Sequence, residues 1–173
     1  MNKKIKGELI VVKSAPMFTW NADEGIASCI IKYKDKTFCG VAACHTDDFD
    51  MMSEKTGCEI AYHRALIDYF KYVRDCELKP ALKALKQLYY TMKHSSHFNP
   101  ESYENRKLQR HIRMYEFDLE TINTMIIEER KNLKDYIDKK DEFYKKTRIG
   151  RQIRNAEAST ELAFDYPGSD END

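Results

Sequence analysis

The chain has 173 residues, with 29 Lys and Arg balanced by 29 Asp and Glu, and 42% of it is hydrophobic. That composition excludes a fully disordered chain, a collagen-like chain and a membrane protein. The apolar run Leu9–Val12 falls far short of the roughly 18 residues a span needs, and is too short for the core of a secretory signal. Five cysteines are an odd number without a dense framework, which predicts reduced thiols and a cytoplasmic protein.

The first fifty residues read as β structure. Ile5–Val12 is short and β-branched, Ala27–Tyr33 alternates with period two, Lys34-Asp35-Lys36 is a tight polar turn, and Thr37–Cys44 follows it. These predict three strands, the last two forming a hairpin. Two hairpin strands are marginal by themselves, so a helix must cover one face.

That helix is expected to begin between Ser53 and Thr56, with Thr56-Gly57-Cys58-Glu59 as a capping box. Its apolar face is Ile60, Ala61, Ala65 and Leu66, continued by Tyr69, Phe70, Val73, Leu78, Leu82, Leu85, Tyr89 and Met92. Pro80 should kink or restart it near residues 76–79, and His94-Ser95-Ser96-His97 closes it. Asn99-Pro100-Glu101 reads as the next helix start. Leu108, Ile112, Tyr115, Leu119, Ile122 and Ile126 then recur at alternating steps of four and three, with Leu133, Tyr136 and Phe143 continuing the stripe. This predicts an amphipathic helix of about 45 residues, roughly 70 Å long. A helix of that length needs a partner along its stripe, either the preceding segment folded back or a second copy of the chain.

The end of the chain divides by charge. Residues 145–154 hold Lys145, Lys146, Arg148, Arg151 and Arg154 and no acid, whereas residues 155–173 hold six acids and no base. The latter segment is expected to be a disordered acidic tail able to fold over the basic run.

Candidate chemistry is sparse. Cys39, Cys44, Cys58 and His63 are zinc-compatible residue types. Within each pair the separation is five, which points side chains to opposite strand faces or about 140° apart on a helix. Cys29, Cys39, Cys58 and Cys76 are therefore expected to be small buried hydrophobes, with no metal. The polar loop Cys44-His45-Thr46-Asp47-Asp48-Phe49-Asp50 could bind Mg²⁺ or exchange protons; backbone capping is the reading adopted. Adjacent Cys44 and His45 diverge on a strand and make a poor nucleophilic dyad. No catalytic residue and no cofactor is expected, so the chain reads as a non-enzyme. Arg106, Lys107, Arg110 and Arg113 fall on outer faces of the last helix with Tyr103 and Tyr115 interleaved. Together with the 145–154 bases they form the candidate nucleic-acid or partner-binding set.

The stretch Gly40–Asp50, followed by Gly57, Glu59, Ala61, Arg64 and Ala65, resembles small β-β-β-α modules of phage and prophage proteins, themselves distantly similar to double-stranded-RNA-binding domains. The likeness covers about residues 4–68, and His97-Phe98-Asn99-Pro100 resembles part of the helical hairpin appended to such modules. Ser53-Glu54-Lys55-Thr56 holds one lysine where true RNA-binding domains carry a cluster, so RNA binding is not implied.

The sequence thus predicts an α+β fold, a small three-stranded antiparallel sheet packed on a helix and followed by a long, coiled-coil-like helical hairpin. Its expected parts are a module over residues 1–68, a hairpin over 69–154 and a tail over 155–173. The expected function is that of a non-enzymatic phage or mobile-element protein acting in the host cytoplasm. It would occlude a host protein or nucleoprotein, a defence nuclease such as a CRISPR effector being one class. The alternative is a nucleic-acid-binding accessory protein. A homodimer is the expected assembly, with no membrane partner.

Overall fold

The computed structural model describes residues 15–45 and 51–164, with side chains except at 151 and 153–164. Three strands, β1 (Met17–Asn21), β2 (Ile26–Tyr33) and β3 (Lys36–Ala43), form an antiparallel sheet in that order. The expected hairpin is β2–β3. The strand expected at 5–12 lies outside the described residues, and β1 is a further strand that periodicity did not reveal. Lys34 opens the hairpin turn at φ 55°, in the left-handed region.

Strand alternation assigns the two sheet faces. Ala27, Cys29 and Ile31 of β2 are fully buried, and they sit across from Ala42, Gly40 and Phe38 of β3. Phe18 and Trp20 extend this face across β1. Over it lies α1 (Glu54–Tyr72), which buries Ala61, Ala65, Tyr69 and Phe70. The approach is very close at Gly40, where a Cβ would stand 1.9 Å from the Ala61 carbonyl oxygen and 2.6 Å from the Ala65 nitrogen. Nearer the helix start, a Cβ on Gly57 would meet Ala27 at 2.8 Å and Trp20 at 3.2 Å. The Arg64 guanidinium donates to the Val41 carbonyl on the free edge of β3. Such a cap blunts an edge otherwise open to another strand. Gly40, Gly57, Ala61, Arg64 and Ala65 are thus residues at which helix and sheet touch. Farther along, Tyr69 stacks edgewise on Tyr33 and Phe38, with ring centroids 5.1 and 5.5 Å away.

The cap of α1 is Ser53, whose hydroxyl accepts from the Thr56 amide at 3.4 Å. The expected Thr56–Glu59 box is thus displaced by one turn, with Thr56 itself buried inside the helix. The chain runs from α1 into a π-helical segment, Val73–Leu78, and then into α2 (Lys79–Lys93). Pro80 accounts for the wide turn: its ring excludes the carbonyl four residues back, at Cys76, and a π turn moves that carbonyl aside. Glu77 ties this segment to the sheet, with Lys34 Nζ at 2.6 Å and the Tyr33 hydroxyl donating at 3.0 Å.

After the 94–102 connection, α3 runs over Tyr103–Phe164. Asn99 begins a turn, its side-chain oxygen accepting from the Glu101 amide at 2.9 Å. The helix itself starts one turn later, where the Ser102 hydroxyl accepts from the Asn105 amide at 3.3 Å. Three contacts establish that α3 returns antiparallel to the preceding helices: His63 Nδ1–Glu129 Oε1 at 2.6 Å, Lys86–Glu116 at 2.7 Å, and Gln109 donating to the Tyr89 hydroxyl at 2.9 Å. Leu108, Ile122 and Ile126 of the predicted stripe are buried, and Ile112, Tyr115 and Leu119 are half-buried.

Two compact units divide within α3, one through Lys134 and one from Asp135. The boundary expected at residue 68 falls inside α1. Residues 155–164, the first part of the expected acidic tail, continue α3 as helix. In the second unit Phe143 and Ile149 are more than half exposed. No helix among the described residues is long and apolar enough to cross a membrane.

Candidate functional site

The polar loop at 46–50 lies outside the described residues, which leaves Cys44 and His45 on its near side. Cys39 pairs with Ile30 on the outer sheet face, away from α1, and is exposed, as is Cys76. Both depart from the expectation of buried thiols, because α1 covers the other face of β3 and Cys76 sits on the outside of the π turn. Cys29 is fully buried, and that burial pushes its thiol up to about 11. Cys58 is half-buried on α1, and His63 is tied to Glu129. Among the described residues no group of three metal-compatible side chains converges.

The charge distribution is more informative than the net charge. Segment 78–113 holds eight bases (Lys79, Lys83, Lys86, Lys93, Arg106, Lys107, Arg110 and Arg113) against two acids, Glu101 and Glu104. Since the whole chain is neutral, the remainder carries six more acids than bases. Folding puts these bases on one hairpin end, because the Tyr89–Gln109 and Lys86–Glu116 contacts hold α2 against the start of α3. The four lysines of α2 escaped the sequence reading. Their signal was present as a run without a single acid from Leu78 to Pro100.

On α3, Arg106, Lys107, Arg110 and Arg113 are all exposed, as expected. At 100° per residue they share an arc of about 120° with Tyr103, Met114 and Phe117. Tyr103 and Phe117 are 69% and 59% exposed, one at each end of the stripe. Tyr115, expected to be interleaved with the bases, instead turns inward and packs on the core. Among the described residues none of the four cations forms an ion pair. Lys34, Lys71, Arg74, Lys79 and Lys86, by contrast, each meet a carboxylate within 2.8 Å. Asp75, between Arg74 and Lys79, is held well below the usual carboxylate range by those hydrogen bonds. On α2 a shallow groove of about 860 Å³ is lined by Lys79, Leu82, Lys83, Lys86, Gln87, Tyr90 and Thr91.

The second half of the predicted basic set belongs to the other unit. There Lys145 and Lys146 are exposed and Arg148 is half-buried. Arg151 and Arg154 lie on α3 with their side chains outside the described residues.

One buried group stands apart from this surface. Asp118 on α3 is 2% exposed, and among the described residues neither carboxylate oxygen has a hydrogen-bond partner. Burial raises its pKa. No protein-family model, curated protein or solved structure matches the chain.

Proposed function

We propose that this chain is a non-enzymatic binding protein that works by occluding a partner, and that the exposed basic face of α3 is its contact surface. The carrying observation is the set of four cations without ion pairs among the described residues, framed by two exposed rings, on one face of a helix whose opposite face is anchored in the core. Such cations on a rigid element suit an anionic partner, since no carboxylate of the described residues must be displaced. A nucleoprotein meets that requirement better than an ordinary protein surface. On this reading the chain is a phage or mobile-element product in the host cytoplasm, and a nucleic-acid-loaded defence nuclease is one partner class.

The second reading, a nucleic-acid-binding accessory protein, would use the same face. The described part of the β-β-β-α module, residues 15–45 and 51–72, carries as many acids as bases and offers no electrostatic footprint. The test is capture of partners from a host-cell lysate, with and without nuclease, by the wild-type chain and by Arg106→Glu/Arg110→Glu/Arg113→Glu. Loss of the captured species in the triple variant supports the surface assignment, and unchanged capture refutes it. Homodimerisation through the exposed apolar residues of the second unit remains part of the proposal and is checked by sedimentation.

A further inference from the structure

We infer that the α3 face from Tyr103 to Phe117 is a site for single-stranded nucleic acid, with Arg106, Lys107, Arg110 and Arg113 holding phosphates and the two terminal rings stacking on bases. The inference rests on the binding-surface reading above and names the component of the partner that this face meets.

Three observations carry it. First, the zero net charge hides a segment, 78–113, with eight bases and two acids; even with Lys79 and Lys86 paired to Asp75 and Glu116 outside it, the local field is positive where the chain average is not. Second, the four cations are exposed and, among the described residues, free of ion pairs, so phosphates displace no carboxylate of those residues. Third, Tyr103 and Phe117 are 69% and 59% exposed. A solvated helix face has no need of a phenylalanine, whereas a stacking platform does. The two positions are about 21 Å apart along the helix, with the cations between them.

Those rings decide between single strand and duplex. Bases in a duplex are already stacked and present only their edges, which Asn, Gln or Arg forks read in a groove. Unstacked bases of a single strand can lie on an aromatic ring, and stacking is sequence-tolerant. Of the edge-reading residue types the face holds Arg106, Arg110 and Arg113 but no Asn or Gln, so it is the two exposed rings that favour a single strand. It therefore fits a single strand read without sequence preference.

The test is fluorescence anisotropy of the full chain with labelled single strands of about 15 nucleotides, DNA and RNA, against a duplex of equal length. Four phosphate contacts predict a slope of log K against log salt of about −2.8, an affinity loss of about 50-fold between about 50 and 200 mM salt. Arg110→Glu/Arg113→Glu should weaken binding about tenfold or more and flatten the slope. Tyr103→Ala should weaken it about fivefold or more. Lys139→Glu, an exposed cation of the other unit, serves as the control and should leave binding nearly unchanged. All four substituted residues are exposed, and circular dichroism verifies that each variant keeps its helix. No binding to either single strand at about 50 mM salt, equal or tighter binding to the duplex, or binding that the double variant leaves intact would each overturn the inference. If single strands do not bind while the triple variant still loses its captured partner, this inference falls and the proposed function stands. If single strands bind and capture is indifferent to the triple variant, the reverse holds.

Discussion

Gly40→Ala puts the packing of sheet on helix to its sharpest test. The new Cβ would lie 1.9 Å from the Ala61 carbonyl oxygen and 2.6 Å from the Ala65 nitrogen, against 3.4 Å or more for ordinary contact. Both obstacles are α1 backbone, so no rotamer change relieves them. Reaching even 3.0 Å requires β3 and α1 to separate by at least about 1.1 Å. A gap of 0.5–1 Å forfeits roughly a quarter to a half of the dispersion well for each facing atom pair. The loss would spread over the small-residue layer of Ala27, Ala42, Ala61 and Ala65, all buried. Ordinary overpacking costs about 1–3 kcal/mol. A clash of backbone on both sides should exceed that, at about 3–5 kcal/mol, a large share of a typical stability of about 5–15 kcal/mol. The assay is urea unfolding followed by the fluorescence of Trp20, the single tryptophan, which sits in the same sheet–helix layer near Gly57. Gly57→Ala should lose less, because it meets side chains and gains helix propensity. Gly150→Ala, with nothing within 4 Å, should instead favour its helix by about 1 kcal/mol. A Gly40→Ala protein with wild-type emission and a midpoint shift worth less than about 1 kcal/mol would refute the close approach.

Three other outcomes are expected. Ile122→Pro removes a donor and a fully buried side chain from the middle of α3. It should cost about 3 kcal/mol or more, with a visible loss of helical ellipticity; an unchanged spectrum and Tm would contradict a continuous helix at this point. Asp118 should make the protein less stable as pH rises. Its folded pKa lies above the ordinary carboxylate value, so the penalty is absent below the unfolded pKa and complete above the folded one. Asp118→Leu should therefore gain about 1–3 kcal/mol at neutral pH and almost nothing in acid, a comparison made with urea midpoints at both ends; a variant less stable at neutral pH would show that the carboxylate has a partner. Deleting residues 155–173 removes six acids and no base, so any affinity for nucleic acid should rise at low salt and converge with wild type as salt increases. Equal affinities at low salt would mean that the tail does not compete for the bases.

Much of this protein is readable from neighbours in sequence alone. The period-two run of β2, the polar turn at Lys34 and the three-four stripe of α3 are local patterns; the first two reappear within a residue or two of their expected places, and the stripe lies in α3, which starts one turn later than expected and runs 62 residues rather than about 45. Pro80 announces a break because its ring acts within one helical turn. The exposure of Arg106, Lys107, Arg110 and Arg113 follows from their lying across the helix from Leu108 and Ile112. What depended on tertiary structure was each property set by a distant partner. Met17–Asn21 is too short to declare a strand and becomes one by pairing with β2. Thr56 resembles a cap, but the sheet buries it and Ser53 takes the role. Cys39 and Gly40 are adjacent, yet only the choice of which face α1 covers sends one to solvent and the other against helix backbone. Asp118 sits at an ordinary helical position, and its burial arises from what packs over it. The basic surface is intermediate. Every base was visible in the sequence, but whole-chain neutrality concealed the cluster until α2 and α3 were folded together, because net charge is a sum and an electric field depends on where the charges are.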